Sequence, residues 1–429
     1  MTVGHKNNTP HAPIAIVADD LTGAADTSAQ LLRANMRTLI LLDHEGLNNA
    51  ADGYDVLVFD TDSRAISPVA SYSRMSKLAE SLCGAGIDRV YKKVDSTLRG
   101  NLGAEIDALL DRMEFDFAGI APAFPAAGRT TVGGVQRVHG TPVHESDTIH
   151  RLAGSARHSD LRLALREQTL RRVGLVSLNY VREGGAFLSE RVEELLGGRT
   201  KMVVFDAETD DELRRVAEEL AWHSALWVGS AGLATHIPPN AAPTLHLPLE
   251  ATKRTTSRQV LLVSGSTSST TRDQLDYLNT QPGVAGIEMD GERVLAGEDV
   301  RLDEIYRCAG LMERPLYKQL DVALYVRPSE QGDRQDDPAS AQNVANALAT
   351  VAALAVNSVK LRGLILTGGD VARAVCLRLG IQTLEPISEV EPGIPLCKVQ
   401  GRRMLIVTKA GGFGGRESLV RARQSLQED

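Results

Sequence analysis

Short apolar runs alternate with longer amphipathic stretches through the first half of the chain. Ile14 to Ala18, Thr38 to Leu42, Val56 to Asp60, Arg89 to Lys93 and Phe117 to Ala121 are brief and almost continuously apolar. Ala24 to Asn35, Val69 to Ala85 and Gly103 to Met113 space their apolar residues as helices do. Continuous apolar runs suit strands covered on both faces, so the alternation predicts a parallel, doubly wound sheet. Leu161 to Thr169 continues as a helix, Arg172 to Ser177 as a strand, and Met202 to Asp206, Glu212 to Ala221 and Leu226 to Gly229 as strand, helix and strand. A Pro-rich polar stretch follows, from Ile237-Pro238-Pro239 to Lys253-Arg254-Thr255-Thr256. The pattern therefore divides into a first domain over residues 1–235, a linker over 236–258 and a second α/β domain over 259–429, each with a mostly parallel sheet flanked by helices.

The polar residues concentrate where the apolar runs stop. Ile14 to Ala18 breaks into Asp19-Asp20-Leu21-Thr22-Gly23, with Asp26 shortly after. Two adjacent carboxylates repel each other and are costly to desolvate. They either open a solvated turn, one of them capping the next helix, or sit at a ligand-binding sheet edge with cations to compensate them. Asp62-Ser63-Arg64 and Lys92-Lys93-Val94-Asp95-Ser96-Thr97-Leu98-Arg99 end two further strands, and parallel strands bring such ends to one edge. Arg64 reads as a bidentate carboxylate clamp or as half of a structural ion pair. The lysines and Arg99 suit a hydroxylated carboxylate, unless Arg99 simply pairs with Asp95. Gly128-Arg129-Thr130-Thr131 reads as a turn that adds a polar contact.

In the second domain, Val260 to Val263 runs into Ser264-Gly265-Ser266, Gly363 to Leu366 into Thr367-Gly368-Gly369-Asp370-Val371, and Met404 to Val407 into Thr408-Lys409-Ala410-Gly411-Gly412-Phe413-Gly414. Strand ends rich in Gly and hydroxyls offer amides and helix N-termini to phosphate oxygens, and three together point to a nucleotide. No Gly-x-x-x-x-Gly-Lys-Ser/Thr loop and no strand-linked Gly-x-Gly-x-x-Gly occurs, which disfavours a P-loop NTPase and a dinucleotide dehydrogenase.

Composition narrows the remaining options. A net charge of -8 argues against general nucleic-acid binding but leaves room for a local cationic pocket. Cys83, Cys308, Cys376 and Cys397 are scattered, offering neither a disulfide framework nor a zinc knuckle. With no signal-like start and no run of roughly 18 apolar residues, a cytoplasmic location is expected. His139, His144, His150 and His158 match no zinc signature and read as a surface or substrate-covering loop. Gln331 to Pro338 reads as a charged surface loop.

Ala18-Asp19-Asp20-Leu21-Thr22-Gly23-Ala24, Lys93 to Asn101, Pro122-Ala123-Phe124-Pro125, Thr367 to Asp370 and Lys409 to Gly414 together resemble the four-carbon acid sugar kinases. The resemblance covers both domains. It implies ATP-dependent phosphorylation of a tetronate at its terminal (C4) hydroxyl, in a cleft between a sugar-acid domain and a nucleotide domain. It implies substrate contacts at Asp20, Arg64, Lys93, Val94, Asp95 and Ser96, and ATP contacts at Ser264, Gly368, Gly369, Asp370, Val371 and Gly412. Asp20 is the expected catalytic residue; ATP and Mg²⁺ are the expected cofactors, with the metal ligands unassigned. The Lys-Val-Asp-Ser-Thr-Leu-Arg-Gly form looks more like threonate and erythronate kinases than 3-oxo-tetronate kinases, which puts D-threonate first. A non-catalytic sensor of nucleotide and sugar acid is the reading from another class. The expected partners are the sugar acid and ATP, without nucleic acid or membrane, and with homodimerisation left open.

Overall fold

The computed structural model describes residues 12–43, 47, 53–146, 157–239, 257–327 and 338–428. Most of the expected linker and the Gln331–Pro338 loop, together with His150, lie outside the described residues. In the first domain the strands are β1 (Ile14–Ala18), β2 (Thr38–Leu41), β3 (Val56–Asp60), β4 (Val90–Lys93) and β5 (Phe117–Ala121). After them come the short β6 (Arg129–Val132), β7 (Val135–Val138) and β8 (Thr141–Pro142), then β9 (Val173–Val176), β10 (Met202–Phe205) and β11 (Ala225–Gly229). The second domain adds β12 (Val260–Ser264), β13 (Val284–Met289), β14 (Asp321–Val326), β15 (Gly363–Thr367), β16 (Thr383–Glu391), β17 (Ile394–Val399) and β18 (Leu405–Lys409).

The two expected sheets are one. Fifteen strands run in the order β13-β14-β12-β15-β18-β17-β16-β2-β3-β1-β4-β11-β5-β10-β9. The parallel halves are joined by the antiparallel strands β16 and β17, with β16 pairing to β2 through Thr383 opposite Leu41 and Leu384 opposite Ile40. These joining strands escaped the sequence reading because Thr383 to Val399 carries Glu385, Glu389 and Glu391 among its apolar residues and crosses between domains. A second departure is β6 to β8, an antiparallel three-stranded sheet where a turn and a loop were expected. Its start is pinned because Phe124 and Arg129 exchange backbone hydrogen bonds at 2.8 and 3.0 Å.

Buried aliphatic residues fill both faces of the large sheet, as the continuous apolar runs require. The helix Pro338–Ser358 is long and apolar enough, by composition alone, to cross a membrane. In the fold it buries Val344, Leu348, Val351 and Ala355 against the core. The four cysteines are free, three of them buried.

Candidate functional site

Register places the first cluster. Ala18 pairs with Asp60 on one side and with Lys93 on the other, and Lys93 pairs with Gly229, so β1, β3, β4 and β11 end level. The polar segments that follow these strands converge at that edge.

Asp20 is the N-cap of the helix Leu21–Arg33, but the turn is buried rather than solvated, and a cation compensates the paired acids. Its Oδ1 accepts from the Gly23 amide at 2.9 Å and from Arg64 Nη2 at 2.8 Å. Its Oδ2 accepts from Thr22 Oγ1 at 2.6 Å and from Arg64 Nη1 at 2.7 Å. All four lone-pair positions of the carboxylate are thus met, and it must release a donor before taking a proton. Arg64 also donates through Nε and Nη2 to Asp19 at 2.9 and 2.8 Å, so the clamp grips the protein's own acids. Burial pushes the Asp19 carboxyl up, but Arg64 and the charges of Lys92 and Lys93 outweigh it and hold the group below its ordinary value. Gly100, at φ +94°, permits this packing: a Cβ there would sit 3.0 Å from Asp19 Oδ2.

The neighbouring lysines part company because successive strand residues face opposite ways. Lys92 is fully buried and pairs with Glu105 at 2.8 Å on the far face. Lys93 turns toward Asp20 and donates to the Val94 carbonyl at 3.0 Å. A Cβ at Gly23 would lie 3.0 Å from Lys93 Nζ, so the missing side chain makes room for the ammonium. Val94 itself packs in the core with its amide on the Gly229 carbonyl at 2.9 Å. Asp95 is held by Arg99 at 2.6 Å, the internal pair weighed above, and its carboxyl lies far below the ordinary range because Arg99 and Arg64 overcome its burial. Ser96 is buried, and its carbonyl accepts from Gln136 at 2.8 Å.

The second cluster is made mainly of backbone and hydroxyls. Ser264 pairs with Thr367, and Thr367 with Lys409, so three parallel strands end level with these side chains on one face. Ser264 Oγ and Thr367 Oγ1 are buried without a hydrogen-bond partner, as is Thr408 Oγ1 on the opposite face. Gly368, at φ +97°, turns the chain into the helix Gly369–Arg378, whose first-turn amides have no intrahelical acceptor. Val371 packs its side chain beneath Gly265, leaving its amide for a ligand. Gly412 is exposed, with nothing within 4 Å of where a Cβ would be.

The clusters meet at Gly369. A Cβ there would stand 2.6 Å from Asp20 Oδ2. Asp370 is next in line, exposed at the helix start, and its carboxyl is raised by lost hydration on its protein side and by the charge of Asp20. Arg373 of the same helix crosses to β3, donating to Asp60 at 2.6 Å and to the Leu42 carbonyl at 2.9 Å. Burial pushes Asp60 up to about 7 despite this partner. Phe413 reaches back the other way, with the Arg129 guanidinium 5.8 Å from its ring centre.

Asp26 and Arg373 had no assigned role in the sequence reading, and Arg129 stood there only within a turn or polar contact. Asp26 was visible in the opening stretch, yet only the fold shows its Oδ1 buried without a partner and its carboxyl raised by burial to about 6. Arg129 and Arg373 carry no local motif; they matter through contacts across the domains. Among the described residues, His139 meets Arg129, His144 meets Ser159 and His158 meets Glu167. Among the described residues no group of three or more His, Cys, Asp or Glu could hold a metal ion. Mg²⁺ arriving with nucleotide phosphates would keep most of its waters and need only one or two carboxylates, one of which the exposed Asp370 would offer.

Comparison with known proteins fits this division. A family model described as a sugar-binding N-terminal domain matches residues 14–237, and one described as a nucleotide-binding C-terminal domain matches residues 261–419. The chain is 34% identical to a D-threonate kinase of Cupriavidus necator, over 96% of this chain and 98% of that one. It is 30% identical to a D-erythronate kinase of Heliobacterium modesticaldum over 94% and 95%, and 28% identical to a 3-oxo-tetronate kinase of Pseudomonas savastanoi over 96% and 97%. A solved Salmonella typhimurium structure superposes with a TM-score of 0.77 at 23% identity, covering 96% of this chain and 99% of that one. That likeness concerns the fold.

Proposed function

The chain belongs to the four-carbon acid sugar kinase family, a family of phosphotransferases, and on that premise we propose that it transfers the γ-phosphoryl group of ATP to the C4 hydroxyl of D-threonate. The observation that carries this reading is the approach of Gly369 to Asp20, where the start of the nucleotide domain's helix abuts a carboxylate of the sugar domain held by four hydrogen bonds. The acceptor hydroxyl and the terminal phosphate meet in this interdomain cleft.

Each domain then has a distinct task. The amides of Gly369, Asp370 and Val371, the exposed Gly412 and the buried Ser264 hydroxyl receive the polyphosphate. Asp370 would hold Mg²⁺ that enters with the nucleotide, and the ion would supply charge neutralisation for the phosphates. Lys93, Ser96 and the outer edge of Arg64 receive the sugar acid. Asp20 orients the C4 hydroxyl and accepts its proton once one of its present donors turns to the substrate. A loose phosphoryl-transfer transition state asks little of a base beyond position, which a carboxylate fixed by four donors supplies.

The Lys93 to Gly100 sequence supports a threonate or erythronate kinase over a 3-oxo-tetronate kinase, and 34% identity to a D-threonate kinase against 30% to a D-erythronate kinase supports trying D-threonate first. A coupled ADP-release assay across D-threonate, D-erythronate, L-threonate and 3-oxo-tetronate tests it. The highest kcat/KM is expected with D-threonate; a higher value with another acid reassigns the substrate. Nucleotide binding without acid-dependent ADP release would favour the sensor.

A further inference from the structure

The loop after β18 is organised from below by a buried cation. Lys409 is 1% exposed, and its Nζ donates to the carbonyls of Ala410 at 2.9 Å, Phe413 at 3.1 Å and Gly411 at 3.3 Å. Neighbours reinforce the same orientation. Gly411 O also accepts from Ser268 Oγ at 2.6 Å and Thr271 Oγ1 at 2.8 Å, while Gln274 Nε2 donates to Phe413 O at 3.0 Å and Gly415 O at 2.8 Å. Four carbonyls therefore face the protein. In a trans peptide the next N–H points the opposite way, so the amides of Gly411, Gly412, Gly414 and Arg416 face outward. None of these four donates to an acceptor among the described residues. A run of outward amides is an anion cradle.

Among the described residues the charge beneath it has a single, already engaged carboxylate nearby. Every element packed around Lys409 contributes neutral groups except one corner: the helix Ser269–Asn279 supplies Thr271 and Gln274, β12 and β15 supply Ser264 and Thr367, and β17 supplies Ile394. The corner is Glu391 of β16, which already receives Arg421 at 2.8 Å and Ser418 from the C-terminal helix. Independently of the loop, Ser264 Oγ and Thr367 Oγ1 lie in the same row, fully buried and unpartnered.

We propose that Lys409 is the positioning residue of the phosphate cradle, turning the loop amides toward the nucleotide and becoming fully protonated when the polyphosphate arrives, so that nucleotide binding takes up a proton. This rests on the reading of the second domain as the ATP site. Burial lowers the free ammonium to about 7, so near neutral pH it is part neutral, and an anion above the loop draws the proton back. The sign follows: affinity is flat where Lys409 is already charged, below about pH 6, and declines as pH rises through 7 until the bound form also loses its proton.

Titration calorimetry with ADP, in two buffers of different ionisation heat at pH 6 and pH 8, tests the full chain against Lys409→Arg and Lys409→Met. The wild type is expected to take up a substantial fraction of a proton at pH 8 and little at pH 6, with about fivefold weaker binding at the higher pH if the shift is one unit. Lys409→Arg, cationic throughout, should bind ADP with neither excess uptake nor that decline; subtracting it cancels the titration of ADP itself. Lys409→Met should weaken ADP binding at both pH values, with a thermal melt confirming that it folds. Equal proton uptake by wild type and Lys409→Arg overturns the assignment, as does a folded Lys409→Met that binds ADP like wild type. If the wild type binds no ADP at all, the nucleotide reading of the domain fails first, which is a separate result.

Discussion

The two halves of the site use opposite chemistries. The sugar-acid half is built from side-chain charges that already satisfy one another: Arg64 holds Asp19 and Asp20, Arg99 holds Asp95, and Lys92 holds Glu105. The nucleotide half leaves the loop amides of Gly411, Gly412, Gly414 and Arg416 and the hydroxyls of Ser264 and Thr367 without partners among the described residues, on glycines that keep side chains out of the way. The difference follows from what each must bind. A small hydroxylated carboxylate is selected by directional side chains whose positions are fixed beforehand, because a 1 Å error in a reacting hydroxyl costs about a hundredfold in rate. A polyphosphate presents many equivalent oxygens, which repeated backbone donors suit, at the cost of leaving those donors unmet until it binds.

Breaking the charged half should have the largest effect. Asp20→Asn keeps a good helix cap but removes the charge, so turnover should fall by about a thousandfold while ATP affinity changes little. Steady-state kinetics beside nucleotide titration decides it: near-normal turnover would remove Asp20 from the catalytic role. Next comes Arg64→Lys, which keeps a charge but cannot span two carboxylates; kcat/KM for the acid should drop about a hundredfold, with KM for ATP nearly unchanged. Gly369→Ala tests the seam between the halves. Its Cβ would fall 2.6 Å from Asp20 Oδ2, and the two domains must part to accept it. About tenfold loss of kcat is expected, with both ligands still binding.

The smallest effect expected is on stability. Burial raises Asp26 to about 6 and Asp60 to about 7, above their unfolded values, so folding is favoured by their protons at low pH and loses that support as pH rises through 6 and 7. Thermal melts should show Tm declining over this window. Asp26→Asn should flatten part of the decline and stabilise the protein at pH 8 by up to about 3 kcal/mol, the equivalent of roughly two pKa units. An unchanged profile would mean that Asp26 is solvated.

The strand ends were legible along the chain because a buried strand needs an unbroken apolar run and a ligand edge needs polar residues where that run stops. Asp19, Asp20, Arg64, Lys93 and Gly368 to Val371 stand out for that reason. Local pattern was weaker where a segment is stabilised by a distant partner: β16 and β17 join the two halves, and β6 to β8 lie against loops of their own domain. Arg129 and Arg373 show the same limit among side chains, since Phe413 and Asp60, the groups they meet, lie far along the chain.

The sequence by itself determined two α/β units and, in each, a sheet edge where polar residues gather, because those depend on periodicity and on which residue types end each strand. Tertiary structure alone decided that Arg64 grips both Asp19 and Asp20, that Lys92 and Lys93 serve opposite faces, and that Gly369 lies against Asp20. Those outcomes depend on strand register and on contacts between residues hundreds of positions apart, and neither is encoded in any short stretch of chain.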